Sequence, residues 1–404
     1  MTVARREFLK YTLAAGFATT GLPLAAQSSN PFRIAVLNDQ SSVYSAVGGK
    51  GSLYAVQMAV EDFGGTLLGR PIEVLSADHQ NKVEIATGIA REWIEARGVE
   101  AIFDLGNSAC ALAVIGLLAN AQKIAVVSGG VSSEITGKAC TPFSFHWVQD
   151  TYATSRVQSR ALVDMGKKKW FLINPDYAVG NALERDITAA LTEFGGTAVG
   201  KVKLPIGSSD FSAAIVTAAN SGADVVQIGQ TGPDLTNFVK QVKEYGLDST
   251  ASVSVTSTNI VDIINTGLGV MRGLFVSEPF YWDQNDEVRA WSKRYIDKIG
   301  IPPNALQAGN YSGTLHYLKA VAAAGSTDGT QIAKAIRARP VSDMMSKNLV
   351  VREDGRVIRG MIQFRVKSPE ESKYKFDIFE ILAEIPGTEV VRPFSQSECP
   401  MIKR

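Results

Sequence analysis

From Phe32 onward, short apolar runs alternate with stretches whose apolar residues recur every three to four positions. FRIAVLND predicts a buried strand. The Gly-rich loop SSVYSAVGGKG then leads into a helix whose stripe is Leu53, Val56, Val60 and Phe63, ended by Gly64-Gly65. PIEVLSAD is the next strand, and Val83, Ala86, Ala90 and Trp93 mark one face of the helix behind it. VEAIFDLG, a helix from Ser108, and KIAVVSGG complete a β-α-β-α-β-α-β series. The pattern resumes with KWFLINPD, a helix from about Asn181, TAVGKVKLP, a helix after Asp210, ADVVQIGQ, and a helix from Pro233. ASVSVTS and MRGLFVSEPF supply two further strands. Such alternation predicts an α/β fold with mostly parallel sheets, covered on both faces and connected by right-handed crossovers.

Two such series of about 120 residues suit two doubly wound lobes better than one sheet of ten strands. Near the end, NLVVRED, RVIRGMIQFRV and KFDIFEIL predict consecutive antiparallel strands added to one lobe, with turns at Asp354-Gly355 and around Ser368-Pro369. No stretch rich in Pro, Gly or Ser separates the lobes, so short strands are expected to join them.

The start of the chain carries a different signal. Arg5-Arg6-Glu7-Phe8-Leu9-Lys10 precedes YTLAAGFATTGLPLAA, shorter than the ~20 apolar residues that span a bilayer as a helix. A charged start, an apolar middle and small residues at Ala25-Ala26 predict an export signal over residues 1–26, and its paired arginines resemble the twin-arginine type. The mature protein is therefore expected in the periplasm. Residues 1–26 hold Arg5, Arg6 and Lys10 against Glu7, so the remainder has 38 basic and 39 acidic residues. That balance argues against a nucleic-acid partner. Of the three cysteines, Cys110 lies in an apolar helical run, whereas Cys140 and Cys399 stand in loop-like sequence beside prolines. In an oxidising compartment those two can pair.

Catalytic patterns are missing. His79, His146 and His316 show no metal-ligand spacing, no cysteine pair stands at CxxC spacing, and GxSxG is absent. Gly49-Lys50 and Gly137-Lys138 lack the rest of a phosphate-binding loop, and GGKG fails the dinucleotide pattern. Neither an enzymatic role nor a cofactor nor a metal is expected. The loops at the predicted strand ends suit binding instead. They are SSVYSAVGG, Gly106-Asn107-Ser108 and Ser128-Gly129-Gly130-Val131-Ser132-Ser133 in the first series. In the second they are Asn174-Pro175-Asp176-Tyr177, Gly229-Gln230-Thr231-Gly232 and Thr256-Ser257-Thr258-Asn259. Parallel sheets bind ligands beyond these ends, where helix N-termini offer free N–H groups. Helix capping is the plainer role of such residues, but six loops on one edge of two sheets point to a shared cleft.

In order along the chain, IAVLNDQSSVYSAVGGKG, AVEDFGGTLLGRPIEV, Asp78, FDLGNSA, IAVVSGGVSSEITG, NPDYAVG, SSDFSAAI and NFVKQVKEYGL resemble the type I periplasmic binding proteins of ABC importers, in the leucine/isoleucine/valine-binding branch. The resemblance runs from about Phe32 to the late 340s. It implies two lobes joined by three crossovers, near Trp147–Asp150, Val276–Glu278 and Ser342–Met345. Residues 31–148 and 277–343 would form the first lobe, and 149–276 and 344–404 the second. It also implies a solute in the inter-lobe cleft, a membrane ABC permease as partner, and a monomer. Tyr44 would reach in from the first loop, Asn107, Ser108, Ser128, Gly129 and Ser132 would hold a carboxylate, and Tyr177 and Thr231 would close over it. Members that bind amino acids carry an acid in the loop matching Thr256-Ser257, where this chain has only hydroxyls; Asp150 stands near a crossover that can supply another. Phe145, His146, Trp147, Tyr152, Phe280, Tyr281 and Trp282 are dense beside the expected cleft. The expectation is a carboxylate on an aromatic or apolar body, touched by rings such as Tyr281. Branched-chain amino acid binding and a sensor for a membrane receptor are the alternatives.

Overall fold

The computed structural model describes residues 30–402, so the expected export signal lies outside the described residues. The first lobe is built on β1 (Phe32–Asn38), α1 (Gly49–Phe63), β2 (Thr66–Leu67), β3 (Arg70–Asp78), α2 (Val83–Glu95), β4 (Val99–Asp104), α3 (Ser108–Asn120), β5 (Ile124–Val127) and β6 (Ser144–His146). Its strand order is β2-β3-β1-β4-β5-β6, parallel except for the β2–β3 hairpin. The unbroken apolar run of β1 has a simple cause. Ile34 and Val36 enter one core, and Ala35 and Leu37 enter another on the opposite face. A strand covered on both sides has no polar face to alternate with.

The second lobe begins with α4 (Thr151–Asp164), β7 (Lys169–Pro175), α5 (Ala178–Phe194), β8 (Thr197–Leu204) and α6 (Ser212–Ala219). It continues through β9 (Val225–Ile228), α7 (Gly232–Glu244), β10 (Ser252–Val255), α8 (Ile260–Thr266), α9 (Leu268–Met271) and β11 (Phe275–Glu278). The chain then returns to the first lobe as α10 (Asp286–Ile299), α11 (Ala305–Ala324), α12 (Gly329–Ala338) and the hairpin β12 (Val341–Asp343) with β13 (Ser346–Leu349). Last come β14 (Met361–Val366), β15 (Phe379–Ile385) and α13 (Gly387–Val390). The second sheet runs β15-β14-β11-β10-β9-β7-β8; β14 is antiparallel to β11 and β15 antiparallel to β14, beside an otherwise parallel set. In the first lobe β1 lies between β3 and β4, and in the second β7 lies between β8 and β9, so the strand order reverses direction at each of these strands. That reversal opens a crevice at the strand ends.

Two details differ from the sequence reading. NLVVRED is not a strand of its own: only Asn348-Leu349 belong to β13, which pairs with β12 beside the first lobe rather than joining β14 and β15. The third crossing lies later than Ser342–Met345, because Val351 and Val357 are buried in the first-lobe core and the chain enters the second sheet at Met361. Their apolar side chains fix that segment to the first lobe. Cys140 and Cys399 are joined by a disulfide, and Cys110 is a buried free thiol. Among the described residues no helix is long and apolar enough to cross a membrane.

Candidate cleft between the lobes

All six of the Gly-, Ser- and Asn-rich loops contribute to one cavity between the lobes. Tyr44, Val47 and Gly48 follow β1, Gly106, Asn107 and Ser108 follow β4, and Gly129 and Val131 follow β5. From the second lobe come Tyr177 and Val179 after β7, Gly229 and Thr231 after β9, and Thr256 to Asn259 after β10. The floor is the hinge itself, with Gln149 and Thr151 from the first crossing and Ser277 and Glu278 from the second.

The N-cap residues of five helices line this space: Gly48, Asn107, Tyr177, Thr231 and Asn259. Unpaired N–H groups and the positive ends of helix dipoles therefore converge on it. Capping and lining coexist. Asn107 Oδ1 accepts from Ala109 N at 2.7 Å and Cys110 N at 3.1 Å, and Asn259 Oδ1 accepts from Val261 N at 2.9 Å. Ser108, at the first turn of α3, is buried, and its Oγ accepts from Ser132 N at 3.2 Å. Gly129 is required by close approach, since a Cβ there would stand 2.4 Å from Asp104 Oδ1 and 2.5 Å from the Gly106 Cα. Asp104 itself adopts φ +73°, a conformation L-residues rarely take outside functional sites.

The lobes touch across the mouth. Tyr44 Oη and Tyr177 Oη share a hydrogen bond of 2.8 Å, and burial pushes both phenols above their ordinary range. Asn304 Nδ2 at the start of α11 donates to Asn259 Oδ1 at 3.4 Å.

Of the residues expected to bind, Tyr44, Asn107, Ser108, Gly129, Tyr177 and Thr231 face the cavity. The other four do not. Ser128 is wholly buried behind it, where a Cβ on Gly309 would lie 3.2 Å from its Oγ. Ser132 caps a short 3-10 turn, accepting from Glu134 N at 3.3 Å. Asp150 caps α4 through Ala153 N at 2.8 Å and pairs with buried Arg356 at 3.5 Å. Tyr281 packs in the second-lobe core with Phe364 and Phe379, each at 5.6 Å between ring centres, and burial pushes its phenol up to about 12. The other rings read as cleft candidates are structural as well. Trp147 packs at a tilt against His316, with ring centres 5.2 Å apart, and donates to Ser312 Oγ at 2.9 Å, and Phe280 packs edge-on to Trp291. Tyr44 and Tyr177 are the rings that remain in the wall, beside the aliphatic Val47, Val131, Val179 and Leu306.

The sequence reading missed Glu278. It lines the cavity, is buried, and its Oε1 has no hydrogen-bond partner within the described residues. Burial holds its carboxyl well above the usual carboxylate range, and the nearby Asp262 adds to this. Asp262 is also raised by burial while it organises the second-lobe loops, accepting from Thr231 Oγ1, Gly232 N and Asn259 Nδ2. Asp39 and Asp104 line the first-lobe side, and among the described residues no Lys, Arg or His lines the cavity. The only signal for Glu278 was an acid inside the otherwise apolar strand LFVSEPF. No group of three or more metal-ligating side chains occurs among the described residues.

The family described as periplasmic binding protein matches residues 31–373. A solved periplasmic binding protein from Burkholderia mallei superposes with a TM-score of 0.90 at 35% identity, covering 93% of this chain and 100% of that one. A branched chain amino acid ABC transporter periplasmic ligand-binding protein from Burkholderia xenovorans gives 0.84 at 37% identity, covering 92% and 100%. A Leu/Ile/Val-binding protein homolog 6 from Brucella melitensis is 25% identical over 243 residues, 60% of this chain. The match spans 62% of the length of that curated relative.

Proposed function

We propose that this chain, which belongs to the periplasmic binding protein family in its Leu/Ile/Val-binding branch, captures a small amino-acid-like zwitterion with an aliphatic body and hands it to a membrane ABC permease. Members of the family bind solutes and do not transform them. The carrying observation is Glu278, a buried carboxyl whose Oε1 has no hydrogen-bond partner, in a cavity that no basic side chain lines among the described residues. Raised proton affinities at Glu278, Asp262 and Asp104 mark a site with more negative charge than its surroundings can ionise. An ammonium group supplies the missing cation. The solute's carboxylate is received at the opposite pole by Ser108 and the start of α3.

This reading revises the sequence-based preference for an acid without an ammonium group. That preference rested on the hydroxyls at Thr256-Ser257 and on rings that are packed elsewhere. The body of the solute meets Val47, Val131, Val179 and Leu306, which favour an aliphatic chain. The Burkholderia xenovorans relative, whose name refers to branched chain amino acids, supports the same class. Export to the periplasm and action as a monomer belong to the same proposal. Titration calorimetry against aliphatic amino acids, aromatic and aliphatic acids without an amino group, and simple amines tests it. Tight binding of a simple acid, with no response to any amino acid, would sink it.

A further inference from the structure

The C-terminal tail leaves the second lobe at β15 and does not hang free. Val390 and Val391 pack on Ala153 and Val157 of α4, in the second lobe. Arg392 Nη2 donates to Asp186 Oδ1 of α5 at 3.0 Å, with its guanidinium 4.4 Å over the Tyr152 ring. Tyr152 Oη donates to Gln396 Oε1 at 3.1 Å. The same tail is also attached to the first lobe. Arg352, whose neighbour Val351 is buried in the first-lobe core, donates to Arg392 O at 2.6 Å and lies 4.5 Å over Phe394. Lys138 pairs with Glu398 at 3.5 Å, and Cys399 is bonded to Cys140 in the loop before β6.

We infer that this tail is a fourth tie between the lobes, locked by the Cys140–Cys399 disulfide, and that it restrains how far and about which side the cleft opens. The three crossings are continuous backbone and bend at a hinge; the tail ties the lobes from outside it. Its second-lobe anchor is a shared hub. Buried Asp186 accepts from Arg392, from Ser133 Oγ of the first lobe at 2.6 Å, and from the cavity-lining Thr151 Oγ1 at 2.6 Å. Arg185 beside it donates to Ser133 Oγ at 2.6 Å and pairs with Glu134 of the first lobe. Seven residue steps, 392 to 399, separate the Asp186 anchor from the bridge. Fully extended they reach about 25 Å, but here they include the 3-10 turn Phe394–Gln396. Opening on this side must therefore unwind that turn or pull Arg392 off Asp186. With the bridge cut, only the Arg352 contacts and the Lys138–Glu398 pair hold the tail to the first lobe, so it can follow the second lobe at a much smaller cost.

The test uses ligand-free protein, so it is independent of which solute binds. Three samples are compared with the oxidised protein: protein treated with a phosphine reductant under native conditions, the Cys140→Ser/Cys399→Ser variant, and Arg392→Ala with its bridge intact. Intact mass after alkylation reports bridge opening, and circular dichroism reports folding. The expected result is a larger radius of gyration by small-angle scattering in every folded sample. Amide exchange should also quicken about tenfold or more at Ser133, Glu134 and Thr151, outside the tail. If cutting the bridge unfolds the chain, Arg392→Ala alone decides. An unchanged radius with faster exchange confined to the tail would overturn the inference and leave the disulfide as an anchor for a chain end.

Discussion

Replacing Glu278 by Gln removes one charge while keeping the shape of the side chain, and the structure gives its two consequences opposite signs. In the bound state the lost contact is a charge-assisted hydrogen bond to an ammonium group, worth about 1.5–3 kcal/mol. Kd should therefore rise roughly ten- to a hundred-fold. In the ligand-free state the substitution removes a buried carboxyl whose proton affinity is raised by desolvation and then by Asp262. Between the ordinary Glu value and that raised one, the native state holds a proton that the unfolded chain has lost. Stability of the ligand-free protein therefore falls as pH rises through that window. Each tenfold change in proton affinity is worth about 1.4 kcal/mol, so Glu278→Gln should unfold at a higher temperature than the parent at pH 7 and show little difference near pH 4. The parent should also release a proton when it binds, because the ammonium group ionises Glu278. Calorimetry in two buffers of different ionisation enthalpy reads that proton directly. Unchanged Kd in Glu278→Gln, together with no proton released by the parent, would refute the role assigned to this acid.

Other expectations follow from the same geometry. Ser108→Ala should weaken solute binding by about 1.5–3 kcal/mol in calorimetry, because it removes a donor at the start of α3 and leaves Ser132 N without its partner. Tyr44→Phe and Tyr177→Phe each break the hydrogen bond across the mouth, so each should weaken binding by about 0.5–1.5 kcal/mol; a double-mutant cycle should show the pair to be non-additive. Asp150→Ala should lower the denaturation midpoint, since it strips a cap from α4 and leaves Arg356 buried without its carboxylate, at a cost of about 3–5 kcal/mol. The preference for amino acids over simple acids should survive that change, and its loss would return Asp150 to the binding site.

The sequence by itself determined the βα alternation, the two lobes and the set of loops at their edges. Those properties are local: periods of two and 3.6, turn chemistry, and the continuous apolar runs of strands covered on both faces, as in β1 and β7. It also placed Cys140 and Cys399 where they could pair. What it could not determine was which side chains converge. Glu278 and Ser277 are neighbours on β11, and the sequence around them reads as an ordinary buried strand end. Only the return of the chain into α10 makes that end the floor of a cleft. Asp150 and Tyr281 were plausible site residues from their nearness to the crossings, yet one is consumed by a helix cap and a buried arginine and the other by a ring cluster. The third crossing moved for a comparable reason, since Val351 and Val357 are held in the first lobe by a core assembled from residues far away in the chain. Side-chain direction at a strand end and competition between burial and solvent are settled by packing against distant elements, and no local pattern encodes them.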